Sequence, residues 1–362
     1  METSVRDEQL LLNAARRGDE DAYRELVESH RAELHAHCYR MLASVHDADD
    51  AVQEALVRAW KGLSRFESRS SVRTWLFRIA TNTALDAAHG RARRELPVSL
   101  FPAAGPGEGP GDPLHETPWM EPYPDQLLGA SETLASPEAR YESRESLELS
   151  FVAALQHLTA QQRAVLIIRD VLGFSAIETA ELLDTTVPAV NSLLQRARGA
   201  AATRLPERSQ QDSLRAMGDE RIRELAERYA AAIAHNDVDG LCSMLTADAT
   251  WSMPPHPHWF SGRSAIAEFL ANDVASERWR HRTSHANGQL AVGCYTFDAD
   301  RGCFLGSVLD VLTVEGSQIA SVTAFFTTEL LQKMGYDGAQ FVGAVEFARF
   351  GLPATLPVQG SE

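Results

Sequence analysis

The sequence is poor in cysteine. Its four, Cys38, Cys242, Cys294 and Cys303, are scattered and form no C-x-x-C pair, which excludes a disulfide framework and a thiol-rich zinc site as organising devices. It also lacks any run of about 18 apolar residues, the length that a membrane-crossing helix requires. The opening METSVRDEQ is charged rather than signal-like. The expectation is a soluble, cytoplasmic protein with reduced, structural thiols and no membrane partner. Positive charge is short as well: 34 Lys and Arg stand against 50 Asp and Glu, a net charge of -16. Such a chain binds free nucleic acid poorly, because phosphate neutralisation normally supplies most of the affinity. The length of 362 residues predicts two or three domains, each with its own core.

What is present is helical patterning with specific polar faces. Over Asp47–Trp60 the apolar residues Ala51, Val52, Ala55, Leu56, Ala59 and Trp60 recur at helical spacing, while Asp50, Gln53, Glu54 and Lys61 point the other way. Over Trp75–Asn82 a second apolar stripe stands opposite Arg73, Arg78, Asn82 and Asp86. Seven arginines between Arg65 and Arg94 face only Glu67 and Asp86, so a basic patch sits inside an acidic chain. His35 and His37 lie about 200° apart on a helix and do not converge on one metal ion.

The ordered series D-A-x-D-x-x-Q-E from Asp47 to Glu54, then Phe66, then W-L-x-R-I-A-x-N from Trp75 to Asn82 with Asp86, resembles region 2 of a group 4 (extracytoplasmic function) sigma factor. The resemblance implies that Asp49, Asp50, Gln53 and Glu54 dock on the basic coiled coil of the polymerase β′ subunit. It also implies that the loop Phe66–Ser71 and the helix after it receive a base flipped from the promoter's -10 element. The residue types suit that task. Phe66, Ser68, Ser70 and Asn82 offer an apolar wall and hydrogen bonds to a base edge, and Arg65, Arg69, Arg73 and Arg78 offer cations for the flanking phosphates. Ordinary core packing is the competing reading of Phe66.

From Pro97 to Pro137 the composition turns to Pro, Gly and acid, as in FPAAGPGEGPGDP, with no sustained period; this is a linker. Extended at ~3.3 Å per residue it reaches over ~100 Å. Helical patterning returns from Ser146 to Leu205, and the segment beginning LTAQQRAVLIIRD resembles sigma region 4, a helix-turn-helix. Ser175 is placed to cap its first helix, and the second runs from Val187 to Arg198 with Pro188 in its first turn. In that geometry the second helix enters the major groove by its N-terminal end. Thr186, Pro188, Ala189, Asn191, Ser192 and Gln195 are candidate readers of the -35 element, and Arg196 and Arg198 suit phosphates.

Beyond Gln210 the pattern changes again. A long helix from about Asp219 and another over 264–272 precede strand-like runs at 289–297, 304–314 and 319–326. This segment resembles the SnoaL-like, NTF2-like fold, an α+β cone with an internal pocket, which includes ketosteroid isomerases. By that resemblance Tyr229 stands at the oxyanion-holding tyrosine, and the general-base aspartate falls on Met253, whose thioether cannot abstract a proton. Tyr229, Trp251, His256, His258 and Asp310 are candidate pocket residues.

The expected architecture is multidomain. An all-α region 2 bundle spans 1–96 and an acidic linker 97–137. A region 4 helix-turn-helix follows at 138–208, then a SnoaL-like domain at 219–335 and a tail at 336–362 that docks either on that fold or on the sigma domains. The resemblance implies a non-enzymatic sigma factor whose partners are core RNA polymerase, through its β and β′ subunits, and promoter DNA. Its last domain would be regulatory and is open to a small-molecule ligand. No cofactor or metal is implied, and no anti-sigma factor is named by the sequence. The alternatives are a DNA-binding regulator acting without polymerase and a SnoaL-like ligand-binding or enzymatic protein.

Overall fold

In the computed structural model the described residues are 2–68, 70–128, 142–274, 277–336 and 345–358, so Arg69 and most of the tail's first half lie outside them. The chain divides into two compact units. One comprises Met1–Arg93, Leu127–Ser146 and Ser150–Leu205; the other comprises Arg94–Gln126, Leu147–Leu149 and Pro206–Glu362.

The first unit is helical: α1 (Glu2–Arg16), α2 (Glu20–Leu42), α3 (Val45–Gly62), α4 (Val72–Ala88), α5 (Leu149–Gln156), α6 (Ala160–Leu166), α7 (Ala176–Leu182) and α8 (Val187–Ala202). Side-chain caps set the starts. Asp19 accepts from the Ala22 amide, Ser44 from Asp47 and Ser71 from Thr74, each satisfying a backbone donor that the first helical turn leaves open. The α3 stripe of Ala51, Val52, Ala55 and Ala59 and the α4 stripe of Leu76, Phe77, Ala80 and Ala84 are buried with Leu34, Tyr39 and Met41 of α2. In the helix-turn-helix, Ser175 and Glu178 form a reciprocal capping box at α7. Asp184 takes the left-handed conformation in the turn (φ 50°), and Thr186 caps α8.

Two buried arginines tie the first helices to the later ones. Arg163 of α6 donates to the carbonyls of Met41, Leu155 (2.9 Å), Gln156 (3.2 Å) and Leu158 (3.4 Å). Arg40 of α2 donates to the Ser146 hydroxyl (2.7 Å) and to the carbonyls of Ser146 and Ser143. Phe77 of α4 meets Phe174, which precedes α7, edge to face at 5.7 Å.

The second unit holds a seven-stranded mixed sheet in the order β2-β1-β6-β5-β4-β3, with β7 added on β5. Its strands are β1 (Leu245–Ser252), β2 (Trp259–Ser261), β3 (Trp279–Ala286), β4 (Gln289–Asp298), β5 (Cys303–Glu315), β6 (Gln318–Phe326) and β7 (Thr355–Pro357). Among the strands of the described residues, β1 and β6 pair in parallel and the other neighbours antiparallel. Helices α9 (Gln210–Met217), α10 (Asp219–Ala234), α11 (Val238–Ser243), α12 (Arg263–Phe269) and α13 (Thr328–Lys333) complete the unit. Strands β4, β5 and β6 lie where the strand-like runs predict them. Polar β3 (WRHRTSHA) and short β2 and β7 escaped the pattern.

The tail docks on the sheet. Phe347 packs over Gly306, and Leu352 packs over Gly293, where an added Cβ would lie 2.6 and 2.5 Å from their respective atoms. The absent side chains are what let the tail approach so closely.

The Pro/Gly connector is bonded to this same sheet rather than extended. The Ala104 amide donates to the Trp259 carbonyl (2.8 Å), the His258 amide to Pro110 (3.3 Å) and the Leu114 amide to Pro255 (2.9 Å). Trp259 Nε1 donates to the Phe101 carbonyl at 2.8 Å. Backbone groups unable to pair in a helix or strand of their own are thus satisfied by the sheet domain.

Candidate functional site

Three places carry the sequence candidates: the polar faces of α3 and α4, the helix-turn-helix, and a cavity in the sheet domain. On α3, Asp50, Gln53 and Glu54 are exposed, and Glu54 pairs with Arg58 at 2.8 Å. Asp49 is half-buried and faces His35 Nε2 at 3.1 Å, whereas His37 turns away to the Thr81 hydroxyl at 2.9 Å. Burial lowers the His37 pKa to about 3, so that ring stays neutral. Among the described residues no group of three His, Cys, Asp or Glu side chains is placed to hold a metal.

In the loop, Phe66 is 8% exposed and stacks on Trp75 with ring centroids 4.7 Å apart. Its ring belongs to the core, and receipt of a base there would require this stack to open. Arg16 of α1, which sequence reasoning missed, donates to the Phe66 carbonyl and to the Ser68 hydroxyl at 3.0 Å. Ser68 holds the left-handed conformation (φ 56°), and Ser70 is exposed. Arg73 is not a free cation: it pairs with Glu33 at 3.0 Å and covers the Phe77 and Phe174 rings. Arg78 and Asn82, four residues apart, share one exposed face of α4.

In the helix-turn-helix, Pro188, Asn191, Ser192, Gln195 and Arg196 are exposed along the first turns of α8, and Ala189 is half-buried. The Thr186 hydroxyl is engaged as the cap at 3.4 Å. Arg198 is held bidentately by Asp170 at 2.7 and 2.8 Å, so its charge is already matched. The cation left for phosphate on this helix is Arg196.

The cavity measures about 390 Å³ and is lined by Trp251, Met253, His256, Phe269 and Asp310, with Pro110 of the connector at its edge. Asp310 is 3% exposed. The Tyr229 hydroxyl donates to its Oδ2 at 2.9 Å, and the Cys294 thiol reaches the same oxygen at 3.2 Å. Burial raises the Asp310 pKa to about 6 against the lowering pull of the Cys294 and Tyr229 hydrogen bonds. Burial also raises the Tyr229 and Cys294 pKa values, with the Asp310 charge adding to it.

Of the five sequence candidates, Trp251, His256 and Asp310 line the cavity. Tyr229 stands behind Asp310 and reaches the cavity only through it. His258 points to the Gly109 carbonyl at 2.7 Å instead, outside the lining. Cys294 and Pro110 were missed: a lone thiol and a linker proline carry no signal of what will face them. Met253, which the resemblance above aligns with the general base of the isomerases, lines the cavity, and its thioether supplies no useful proton acceptor.

Comparison with known proteins follows this division. The description "Sigma-70 region 2" matches residues 26–94, "Sigma-70, region 4" matches 148–200, and "SnoaL-like domain" matches 226–322. The chain is 42% identical over 323 residues to the ECF RNA polymerase sigma factor SigG of Mycobacterium tuberculosis, covering 88% of this chain and 84% of that one. It is 29% identical over 196 residues to the ECF RNA polymerase sigma factor SigW of Bacillus subtilis, covering 54% of this chain and 94% of that one. In fold it is similar to the crystal structure of the M. tuberculosis extracytoplasmic function sigma factor SigJ. That match has a TM-score of 0.53 and 19% identity, over 83% of this chain and 95% of that one.

Proposed function

The chain belongs to the extracytoplasmic function sigma factors of the sigma-70 family, and on that premise we propose how its parts divide the work of initiation. As a sigma factor it binds core RNA polymerase and directs it to promoters; it is a specificity subunit rather than an enzyme. The exposed acids and amide of α3, Asp50, Gln53 and Glu54, dock on basic side chains of the polymerase β′ subunit, with Asp49 at the edge of that face. Ser70, Arg78 and Asn82 face the -10 element. The first turns of α8 enter the major groove at the -35 element, with Asn191, Ser192 and Gln195 toward bases and Arg196 toward phosphate. The SnoaL-like domain regulates rather than catalyses, since Met253 removes the base that isomerase chemistry needs. Among the described residues no helix is long and apolar enough to cross a membrane, which suits a site of action beside the chromosome in the cytoplasm.

One observation carries the regulatory reading: Arg163 of region 4 clasps the Met41 carbonyl of region 2 within one unit. The two promoter elements are named for positions about 25 base pairs apart, roughly 85 Å of duplex at ~3.4 Å per base pair. Helices of 17 and 16 residues such as α4 and α8 span only ~25 Å each. The Phe77–Phe174 contact at 5.7 Å holds α4 against the helix-turn-helix, far short of that span, so this is a closed form that opens at the Arg40 and Arg163 seams. The connector bonded to the sheet domain restrains that opening. Run-off transcription with core polymerase tests the reading. Truncation after Leu205 releases the connector and should raise transcription from a cognate promoter several-fold. Equal output from both forms would reject the restraint and leave the sigma role standing.

A further inference from the structure

Two polar groups face the cavity with capacity that the chain does not use. Both bonds to Asp310 fall on Oδ2, and among the described residues Oδ1 has no donor. His256 is 2% exposed; its Nδ1 lies 2.6 Å from the Gly111 carbonyl, and its Nε2 is buried without a partner. A carbonyl only accepts, so Nδ1 carries the proton and Nε2 presents a bare lone pair. Burial lowers the His256 pKa, with the Gly111 carbonyl pulling the other way, so the ring is neutral at pH 7. A buried acceptor without a donor is destabilising, and a donor-bearing occupant recovers that loss. The walls around these groups are apolar rings and chains, among them Trp251, Phe269 and Phe326. A volume near 390 Å³ falls in the range of small-molecule sites, roughly 300–1,000 Å³.

The geometry points to a binding site for a neutral, ring-sized apolar molecule carrying one hydroxyl, which donates to His256 Nε2 and thereby fastens the 101–114 connector over the cavity. The coupling is local. The imidazole that receives the hydroxyl at Nε2 holds Gly111 at Nδ1, and the neighbouring Pro110 is itself part of the wall. A hydrogen bond at one ring nitrogen strengthens the donor at the other. Linkage then makes the effect mutual: the ligand favours the fastened connector, and the fastened connector favours the ligand. Because the same stretch joins regions 2 and 4, the ligand would act as a corepressor of the opening described above. That consequence rests on the regulatory reading; the binding itself does not.

The test uses the full chain without polymerase, so its failure is separate from a failure in transcription. The probe is 2-naphthol, with 2-methylnaphthalene as the isostere lacking the donor, read by quenching of Trp251 and Trp279 and by amide hydrogen exchange. The expected result is that 2-naphthol binds at least tenfold tighter than 2-methylnaphthalene and slows exchange at the Ala104 and Leu114 amides. Ala324→Phe, which fills the cavity, should abolish binding. Pro110→Gly, on the connector and away from the sheet's core, should weaken it several-fold, and it serves where the first variant does not fold. Equal affinity for the two probes, or binding that leaves both amides unprotected, would overturn the assignment.

Discussion

The helical unit and the sheet unit each bury a charged side chain, and they treat it in opposite ways. Arg163 reaches four backbone carbonyls of its own chain, from Met41 to Leu158. Asp310 receives two bonds on one oxygen and turns the other toward about 390 Å³ of mostly apolar space. Both are desolvated: burial lowers the Arg163 pKa to about 10 and raises that of Asp310 to about 6. A buried charge saturated by its own backbone acts as a fastener, whereas one left half-satisfied beside a cavity is available for chemistry or binding. The contrast separates the joint of this molecule from its site.

The largest expected effect lies at the joint. Arg163→Leu removes a charged donor from four carbonyls, of which that of Leu155 keeps a backbone donor, the Leu158 amide, and it removes the tie between α6 and the end of α2. Hydrogen bonds from a charged group contribute about 1.5–3 kcal/mol each, so the loss should be about 3 kcal/mol. Urea unfolding of the full chain should show the helical transition shifted by about that amount. Arg163→Lys, which keeps the charge but loses the planar fork, should recover only part of it. A cost below about 1 kcal/mol for Arg163→Leu would remove the distinction between joint and site.

At the other pole the sign reverses. Asp310 has a folded pKa of about 6 against the ordinary 3.8 of an aspartate, so its burial favours the protonated form. The resulting contribution is fully present below the unfolded value and is lost as pH rises through about 6. Asp310→Asn, whose amide oxygen still accepts from Tyr229 and Cys294, should stabilise the sheet unit by about 1–3 kcal/mol at pH 8 and by little at pH 4. The groups near Asp310 are Tyr229 and Cys294 behind it and His256, Glu277 and Lys333 around the cavity. Melting curves of wild type and variant at the two pH values check the difference. A gap independent of pH would mean that Asp310 does not titrate where its burial implies.

These two residues also mark how far the sequence could be read. Region 2, the helix-turn-helix and strands β4 to β6 were legible because their signals are local. Ser175, Thr186 and Pro188 sit at a helix start, and 289–297 is a short run rich in apolar and aromatic residues, as a buried strand is. Arg163 was invisible inside LTAQQRAV, where an arginine reads as a solvated position, because its acceptors include a carbonyl 122 residues away. The connector was equally opaque. Its period-free Pro/Gly composition announces only that it makes no element, and the groups that hold it, His256, His258 and Trp259, lie about 150 residues on. Arg198 and Arg73 looked like phosphate contacts because a sequence shows a cation and conceals its partner.

The smallest predicted effect sets the same contrast on one helix face. Arg196 and Arg198 are both exposed on α8, but Arg198 is engaged by both oxygens of Asp170, while among the described residues Arg196 bonds only to the Ser192 carbonyl one turn back, at 3.3 Å. An arginine that neutralises a phosphate releases counterions, and its loss lowers the salt dependence of binding by about one unit of slope. One already neutralised by a carboxylate has little to release. In promoter binding by the assembled holoenzyme, Arg196→Ala should reduce the slope of log affinity against log salt by about 1 and weaken binding a few-fold at low salt. Arg198→Ala should leave the slope within half a unit, about half the loss assigned to a full phosphate contact. If Arg198→Ala flattens the slope and Arg196→Ala does not, then Asp170 gives up its partner when α8 enters the groove, and the pairing seen here is a property of the closed form alone.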